Sequence, residues 1–272
     1  MKRFCHFLAD EYHLQKLSNI SSKHLVAYVL WMQEKELSAS TIKTDLAAIR
    51  FFHDKISKPK YILPTNAELG TQLERRRFGD TDRTWSTAEF TRMLELASDN
   101  DGYLLAFHLA RYAGLRIHEC FRIDTAIARQ AIRERAITIK GKGGKIRTVP
   151  ISQQIVSALE KCLETTPTGS KLLVPDDVPT DKAINQLQQF ILRNREAVQD
   201  PDSERPLTFH GLRHTYVTHY YIKHKNDPDF DLATFSKSIG HSSIRTTMEI
   251  YAHLDMTQNR FVQRSMDDLK DF

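Results

Sequence analysis

The chain has 272 residues, a formal net charge of +5 and 40% hydrophobic residues. Because domains usually hold about 100 to 200 residues, this length predicts two globular units. The sequence has neither an apolar run long enough to span a membrane nor a secretory signal, so we expect a cytoplasmic protein. Cys5, Cys120 and Cys162 lie far apart, which excludes a cysteine-based metal cluster, while the positive charge permits a polyanionic partner.

Two amphipathic helices are predicted in the first part of the chain. From Ser21 to Glu36 apolar residues recur at helical spacing, and Ser38 and Ser40 are candidate caps of a second helix that reaches Ile56. The two apolar stripes consist of Leu25, Val26, Val29, Leu30 and Met32, and of Ile42, Leu46, Ile49, Phe52 and Ile56. We therefore predict a small helical domain over residues 1–65 and, because the next stretch is polar and charged, a linker over 66–84.

A helix is predicted at the start of the second unit. Ser86 and Glu89 form a capping-box pattern, in which each side chain accepts a hydrogen bond from the other residue's backbone. A strongly apolar helix follows over Leu104 to Ala113, and Gly114 stands where a left-handed residue commonly ends a helix. Arg116 is thereby placed in the turn directly after that helix.

A β-hairpin interrupts the helical pattern. Apolar and polar residues alternate over Ile137–Ile139 and Ile146–Val149, and the segment Gly141–Gly144 between them predicts a turn. Beyond Pro150 the spacing is helical again over Ile155 to Leu163, Ile184 to Leu192, Leu212 to Ile222, Leu232 to Ile239 and Ile244 to Tyr251. The predicted fold class is mainly α with a small β-hairpin in the second domain, residues 85–272.

Five motifs follow one another along this second domain. They are Ala113-Gly114-Leu115-Arg116-Ile117-His118-Glu119, Lys142 on the hairpin, His210-Gly211-Leu212-Arg213, Gly240-His241-Ser242-Ser243, and Glu249-Ile250-Tyr251-Ala252-His253. Each fragment alone is weak, but their joint order resembles the tyrosine recombinase (phage integrase) family over the whole domain. The first domain resembles, more loosely, the helical, SAM-like core-site-binding domain of that family. The resemblance implies a two-domain clamp around DNA and a site-specific recombinase that needs no metal, ATP or other cofactor.

The resemblance also implies roles for individual residues. Tyr251 is the implied nucleophile, and its 3′-phosphotyrosyl bond preserves the energy of the broken linkage for religation. Lys142 would protonate the leaving 5′ oxygen, His210 would assist proton transfer, and His241 would donate a hydrogen bond to the phosphate. Glu119 would orient an active-site side chain without touching the DNA.

Elementary chemistry supports the two arginines independently. Arg116 and Arg213 each offer a planar, permanently charged group that can bind phosphate through two hydrogen bonds, which a lysine does less well. His210 precedes Arg213 by three residues, so one helical turn would bring both side chains to the same face. Lys140 and Lys145 flank Lys142, and the sequence leaves open which hairpin lysine is catalytic.

Double-stranded DNA is the expected partner, in the nucleoid. The residues predicted to hold its phosphates are Lys43, Arg50, Arg75, Arg76, Lys140 and Lys145. By resemblance, recombination requires a homotetramer on DNA, possible accessory DNA-bending proteins, and a free protein that can be monomeric. The amphipathic segment Phe261 to Leu269 could pack on its own domain or reach a neighbouring subunit. No separate domain for arm-type sites is recognised before Ser21, so either the protein works at core sites alone or the chain has been shortened.

Three rival functions stay open. A type IB topoisomerase uses a similar set of residues, and a catalytically silent DNA-binding protein could keep the same fold. A metal-dependent nuclease is suggested by His210, His214, His219 and His224, since histidines four residues apart share a helix face. Arg213 would repel a cation there, however, and the glutamate of the metalloprotease pattern is missing, so we expect no metal site.

Overall fold

The computed structural model describes residues 1–69, 83–141, 144, 146–201, 203 and 205–240. The chain divides into two compact units, Met1–Arg77 and Phe78–Phe272, and each is presented by itself. The described elements are α1 (Lys2–Tyr12), α2 (Ser22–Glu34), α3 (Ala39–His53), α4 (Thr87–Leu96), α5 (Asp101–Ala113), α6 (Ile117–Cys120), α7 (Thr125–Glu134), β1 (Ala136–Lys140), β2 (Ile146–Pro150), α8 (Gln153–Thr165), α9 (Thr180–Val198), α10 (Phe209–His224) and α11 (Leu232–Ser238), with a short 3-10 turn at Leu17–Asn19. Within these ranges no helix has the length and apolar character that a membrane crossing requires.

The first unit is a helical cluster around an aromatic and aliphatic core. The ring of Tyr28 on α2 lies 4.9 Å from that of Phe4 and 5.1 Å from that of Phe7, both on α1. The Tyr28 hydroxyl donates to Asp45 on α3 at 2.8 Å, so its one polar atom is satisfied within a buried setting. These contacts join α1, α2 and α3. The helix α1 was not predicted, although Phe4, Phe7 and Leu8 follow helical spacing.

Two residues assigned to the buried stripes are in fact exposed. Leu30 is 48% exposed and Phe52 is 50% exposed, whereas Tyr28 and His53 are buried beside the predicted core positions. Which face of a helix is buried depends on the neighbouring elements. Here the buried faces carry Tyr28 and His53, and the more apolar Leu30 and Phe52 face outward. The capping prediction is confirmed for Ser38, whose side chain accepts a hydrogen bond from the Thr41 backbone at 3.2 Å.

The second unit packs α6, α8 and α10 against α5, and the hairpin lies against α7 and α11. Its core is one continuous apolar cluster in which Leu105, Ala106 and Leu109 of α5 have no exposed surface. The predicted capping box at Ser86 and Glu89 is present, with hydrogen bonds of 2.8 and 3.1 Å. The predicted hairpin is also present, as an antiparallel pair of β1 and β2. The fold is therefore mainly helical with a small two-stranded sheet, as predicted.

The segment between α6 and the hairpin, which follows no expected pattern, forms α7. Asp124 caps this helix through a hydrogen bond from the Ile127 backbone at 2.8 Å, and Arg135 ends it in a left-handed conformation. The predicted linker over 66–84 stays a prediction, since residues 70–82 lie outside the described residues.

Candidate active site

The turn between α5 and α6 places Arg116. Gly114 ends α5 with a φ of 62°, and a Cβ there would collide with the ring of Tyr216 on α10. Both the backbone conformation and the packing therefore require glycine. Arg116 follows as the N-cap of α6, where its backbone N–H donates to the Glu119 carboxylate at 2.8 Å. The start of this short helix is thus fixed by α10 on one side and by Glu119 from within.

The first turn of α10 carries His210 and Arg213. Thr208 caps the helix, His210 is exposed, and Arg213 is only 2% exposed. The Arg213 guanidinium donates to two backbone oxygens, those of Gly114 and Ile239. Buried charge of this kind is tolerated only where hydrogen bonds compensate for lost solvation. Arg213 therefore holds the turn before Arg116 and the end of α11 together.

Arg116 and Arg213 meet at the end of α11. Arg116 Nη2 donates to the backbone oxygen of Gly240 at 2.7 Å, and Arg213 Nη2 donates to that of the preceding residue, Ile239. Gly240 has a φ of 70°, and a Cβ on it would lie 3.3 Å from Arg116 Nη1. Two arginines that are distant in sequence thus donate to consecutive peptide oxygens, directly before His241.

Arg147 on β2 is a third arginine at this point, and the sequence analysis gave it no role. Its two terminal nitrogens donate to the two oxygens of Glu119 at 2.8 and 2.7 Å. The Arg147 side chain is 9% exposed and that of Glu119 is fully buried. The one sequence signal was alternation, because Arg147 shares a strand face with the buried Val149. Arg147 and Arg116 therefore share the one Glu119 carboxylate, and with Arg213 bonded to the Gly114 and Ile239 oxygens the named charges of this corner are net positive.

The ionisation of Glu119 follows from these contacts. Burial by itself would raise the pKa of Glu119, but the hydrogen bonds from Arg147 and from the Arg116 backbone, with both positive charges, lower this pKa to about 2. Glu119 is consequently a carboxylate at every physiological pH. It acts as a fixed negative charge between two arginines.

The ionisation of His210 is shifted in the direction of the neutral form. The pKa of His210 is lowered to about 4. The larger cause is burial of part of the ring, which disfavours the charged form, and the positive charges of Arg213, Arg116 and Arg83 act in the same direction. The ring lies 4.8 Å from that of His214 in an edge-to-face arrangement. In the free chain His210 is therefore neutral near pH 7, so one ring nitrogen can accept a hydrogen bond and the other can donate one.

Several predicted site residues lie outside the described residues. They are Lys142, His241 and Tyr251 of the proposed catalytic set, and Arg75, Arg76 and Lys145 of the predicted DNA contacts. The structure thus brings together Arg116, Arg213, His210 and Glu119. The roles of all these residues stay predictions.

The remaining predicted DNA contacts differ in their surroundings. Lys140 is exposed at the end of β1, next to the hairpin turn. Lys43 is partly exposed on α3. Arg50 on the same helix donates to the Pro64 backbone oxygen at 2.7 Å and to the Asn66 side chain at 2.8 Å. The Arg50 guanidinium therefore holds the segment that follows α3, which is a structural role in addition to any contact with DNA.

Comparison with known families identifies relatives for both units. The profile described as the phage integrase family matches residues 86–258, and that described as the phage integrase, N-terminal SAM-like domain matches residues 1–57. Tyrosine recombinase XerC of Natranaerobius thermophilus is 23% identical over 264 residues, which span 93% of this chain and 84% of that protein. Tyrosine recombinase XerD of Halalkalibacterium halodurans is 23% identical over 275 residues, spanning 96% of this chain and 87% of that protein.

Solved structures show a similar fold. The Tn1549 transposon integrase in complex with circular intermediate DNA superposes with a TM-score of 0.62 and 17% identity, covering 93% of this chain and 88% of that chain. The XerH site-specific recombinase, in a post-cleavage complex with a palindromic difH substrate, gives a TM-score of 0.59 and 18% identity, covering 92% of this chain and 73% of that chain. At such identities the likeness establishes the fold.

Proposed function

Because the chain belongs to the phage integrase family and is a site-specific DNA recombinase, we propose that it cuts and rejoins DNA through a 3′-phosphotyrosyl bond to Tyr251. Attack by the phenol oxygen on the phosphorus releases a 5′ hydroxyl, and attack by a 5′ hydroxyl on the phosphotyrosyl bond later restores the phosphodiester. Each step exchanges one phosphoester bond for another, so no ATP is needed, and Arg116 and Arg213 would supply the positive charge that a metal supplies in other enzymes.

The observation that carries this proposal is the convergence of Arg116 and Arg213 on the oxygens of Ile239 and Gly240. Two guanidinium groups that reach neighbouring acceptors are suited to the two non-bridging oxygens of one phosphate. An anionic phosphate oxygen is a stronger acceptor than a peptide oxygen, so DNA can replace these internal partners. Negative charge that develops in the transition state is then stabilised where it forms.

The proton transfers are assigned to the other residues of the set. Tyrosine has a pKa of about 10 in water, so Tyr251 needs a base at neutral pH, and neutral His210 has the capacity to assist. Lys142 is proposed to protonate the leaving 5′ oxygen, and His241 to donate a hydrogen bond to the phosphate. Glu119 touches Arg116 and takes no part in proton transfer.

We further propose that the substrate is double-stranded DNA in the cytoplasmic nucleoid, bound by a homotetramer. The support comes from relatives, since both the Tn1549 integrase and XerH were solved with DNA. The free protein is proposed to be monomeric, and accessory DNA-bending proteins are possible further partners. Binding should be sensitive to salt, because basic side chains would contact the phosphates. These side chains are Lys43, Arg75, Arg76, Lys140 and Lys145, together with Arg50 where its N–H groups are not already bonded within the protein.

A covalent adduct tests the proposal. Bound duplexes are selected from genomic fragments, and a nick near the cleavage point makes the cut irreversible. The wild-type chain is expected to form a protein–DNA adduct in the presence of EDTA, and Tyr251→Phe to form none while binding equally well. Adduct from Tyr251→Phe would place the nucleophile elsewhere, and cleavage abolished by EDTA would indicate a nuclease.

The selected duplexes also distinguish a recombinase from a topoisomerase and from a silent DNA-binding protein. A type IB topoisomerase would relax any supercoiled plasmid, whereas a recombinase should cut only plasmids that carry the selected site. A catalytically silent DNA-binding protein would hold the nicked duplex without ever forming an adduct.

A further inference from the structure

We propose that Arg147 is a positioning residue for DNA cleavage: from the hairpin it fixes Glu119, and through Glu119 it fixes the guanidinium group of Arg116. This inference rests on the proposed function, in which Arg116 holds the scissile phosphate. It assigns a task to a hairpin residue other than the lysines.

The contact between Arg147 and Glu119 is the strongest type of ion pair available to proteins. Two parallel hydrogen bonds, at 2.8 and 2.7 Å, join a planar guanidinium to a planar carboxylate, which fixes both groups in orientation as well as distance. The pair is almost wholly removed from solvent. Lysine could supply the charge at this position but not two parallel hydrogen bonds from one rigid plane.

Glu119 passes this restraint on to Arg116. The oxygen that accepts from Arg147 Nη1 also accepts from Arg116 Nη1 at 3.2 Å, and the other oxygen accepts from the Arg116 backbone at 2.8 Å. Each carboxylate oxygen therefore serves both arginines. If Arg147 were lost, the carboxylate would keep only its two hydrogen bonds from Arg116, and the orientation of the Arg116 guanidinium would be less tightly fixed.

The same ion pair ties the hairpin to the rest of the site. Arg147 belongs to β2, which is paired to β1 through the turn that contains Gly141 and Gly144. A Cβ on Gly240 would lie 3.1 Å from Arg147 Nη1 and 3.3 Å from Arg116 Nη1, so both arginines line one glycine. The strand β2, α6 and the end of α11 are thus held together through Arg147, Glu119 and Arg116.

Electrostatics provides a readout that packing alone would not change. The charged groups that face Glu119 are Arg147 from the hairpin and Arg116 from its own helix, with His118 and Cys120 as its titratable neighbours. Without Arg147, Glu119 loses two hydrogen bonds and a nearby positive charge, so the effect of burial is less opposed and the pKa of Glu119 rises. Cleavage should then be lost progressively as the pH falls, because protonated Glu119 no longer holds Arg116.

The experiment compares three variants on the nicked duplexes recovered by selection: Arg147→Met, Arg147→Lys and Glu119→Gln. Single-turnover adduct formation and DNA affinity are measured between pH 5 and 8. Arg205→Met is the matched control, because Arg205 and Glu89 form another ion pair with side chains 10% and 0% exposed. Loss of the ion pair between Arg205 and Glu89 should lower the stability of the fold in a similar way without disturbing Arg116 or Glu119.

Arg147→Met is expected to form adduct about 100-fold more slowly, since a small displacement of a catalytic group has effects of that order, with DNA affinity nearly unchanged. Its rate should fall further toward pH 5, relative to wild type. Arg147→Lys, which keeps the charge and so folds more readily, should be intermediate. Combining Arg147→Met with Glu119→Gln should slow the reaction no more than Glu119→Gln alone, because the two residues act in series.

Two results would overturn the inference while leaving the proposed function intact. One is a rate for Arg147→Met that matches Arg205→Met. The other is a pH profile for Arg147→Met that is parallel to that of wild type. Failure of the wild-type chain itself to form an adduct would instead refute the proposed function, and this inference would fall with it.

Discussion

The indole nitrogen of Trp85 lies 2.7 Å from the point that a Cβ on Gly211 would occupy. The same nitrogen donates to the backbone oxygen of Thr208 at 3.0 Å, and the indole is fully buried. The start of α10 therefore rests directly on Trp85. This contact therefore helps to position His210 and Arg213, which lie on either side of Gly211 in the sequence.

Gly211→Ala is expected to destabilise the protein by about 1 to 3 kcal/mol, because the added methyl group would collide with the Arg83 backbone oxygen and lie 2.7 Å from the buried indole, so backbone or ring has to move. In an unhindered helix the same change is normally stabilising by about 0.5 to 1 kcal/mol. Gly102→Ala is the matched control, since Gly102 also lies in a helix and its Cβ would approach no backbone atom closer than 3.9 Å. Urea unfolding measures both, and equal stability of the two variants would contradict the packing argument.

Arg116→Lys and Arg213→Lys should each slow adduct formation by about 100- to 1,000-fold, the usual effect of removing one transition-state donor. Lysine keeps the charge but cannot donate to two oxygens from a rigid plane. DNA affinity, measured at one fixed salt concentration, should change little. Arg122→Lys, at an exposed position of the same domain, serves as the control. A large loss of affinity with an unchanged cleavage rate would mean that the arginines only bind.

The shifted pKa of His210 predicts a pH dependence of stability. Its pKa in the folded chain, about 4, lies below the ordinary histidine value of 6.5, so the unfolded chain binds more protons between these values. The stabilising contribution is complete above about pH 6.5 and is lost as the pH falls toward 4. The melting temperature of wild type should therefore fall more steeply over this range than that of His210→Gln. Parallel curves would show that His210 titrates normally.

A sulfur leaving group can identify the catalytic lysine of the hairpin. Lys142→Ala should slow cleavage of ordinary DNA, because an alkoxide needs a proton to depart. A 5′-bridging phosphorothiolate should restore its rate, since a thiolate leaves without protonation. Lys140→Ala and Lys145→Ala are the controls, and neither should show such rescue. Rescue of one of these instead would move the assignment to that lysine.

Local rules accounted for much of the fold. The capping box at Ser86 and Glu89 and the left-handed end of α5 at Gly114 depend on residues close in sequence, and both were predictable. The convergence of Arg116 and Arg213 followed from the resemblance to a family, since no local rule joins residues so distant. α1 was missed because its apolar stretch is short and lies between the basic pair Lys2 and Arg3 and the acidic pair Asp10 and Glu11.

Arg147 shows what a single sequence leaves out. Its partner Glu119 lies on another element, 28 positions away, and nothing in the alternation of β2 names that partner. Leu30 and Phe52 illustrate the same limit, since hydrophobic residues at acceptable spacing turned out to face solvent. Which face of an element packs, and which charges meet, is decided by tertiary contacts.

The hydrogen-bond partners of Arg116 and Arg213 also determine when this cluster can form during synthesis of the chain. Their hydrogen bonds reach oxygens 124 and 26 positions further along the chain, at Gly240 and Ile239. A ribosome makes both arginines before it makes these oxygens, so the cluster cannot be assembled on a growing chain until α11 has emerged. Fragments that end earlier would carry the arginines without the oxygens that hold them in place.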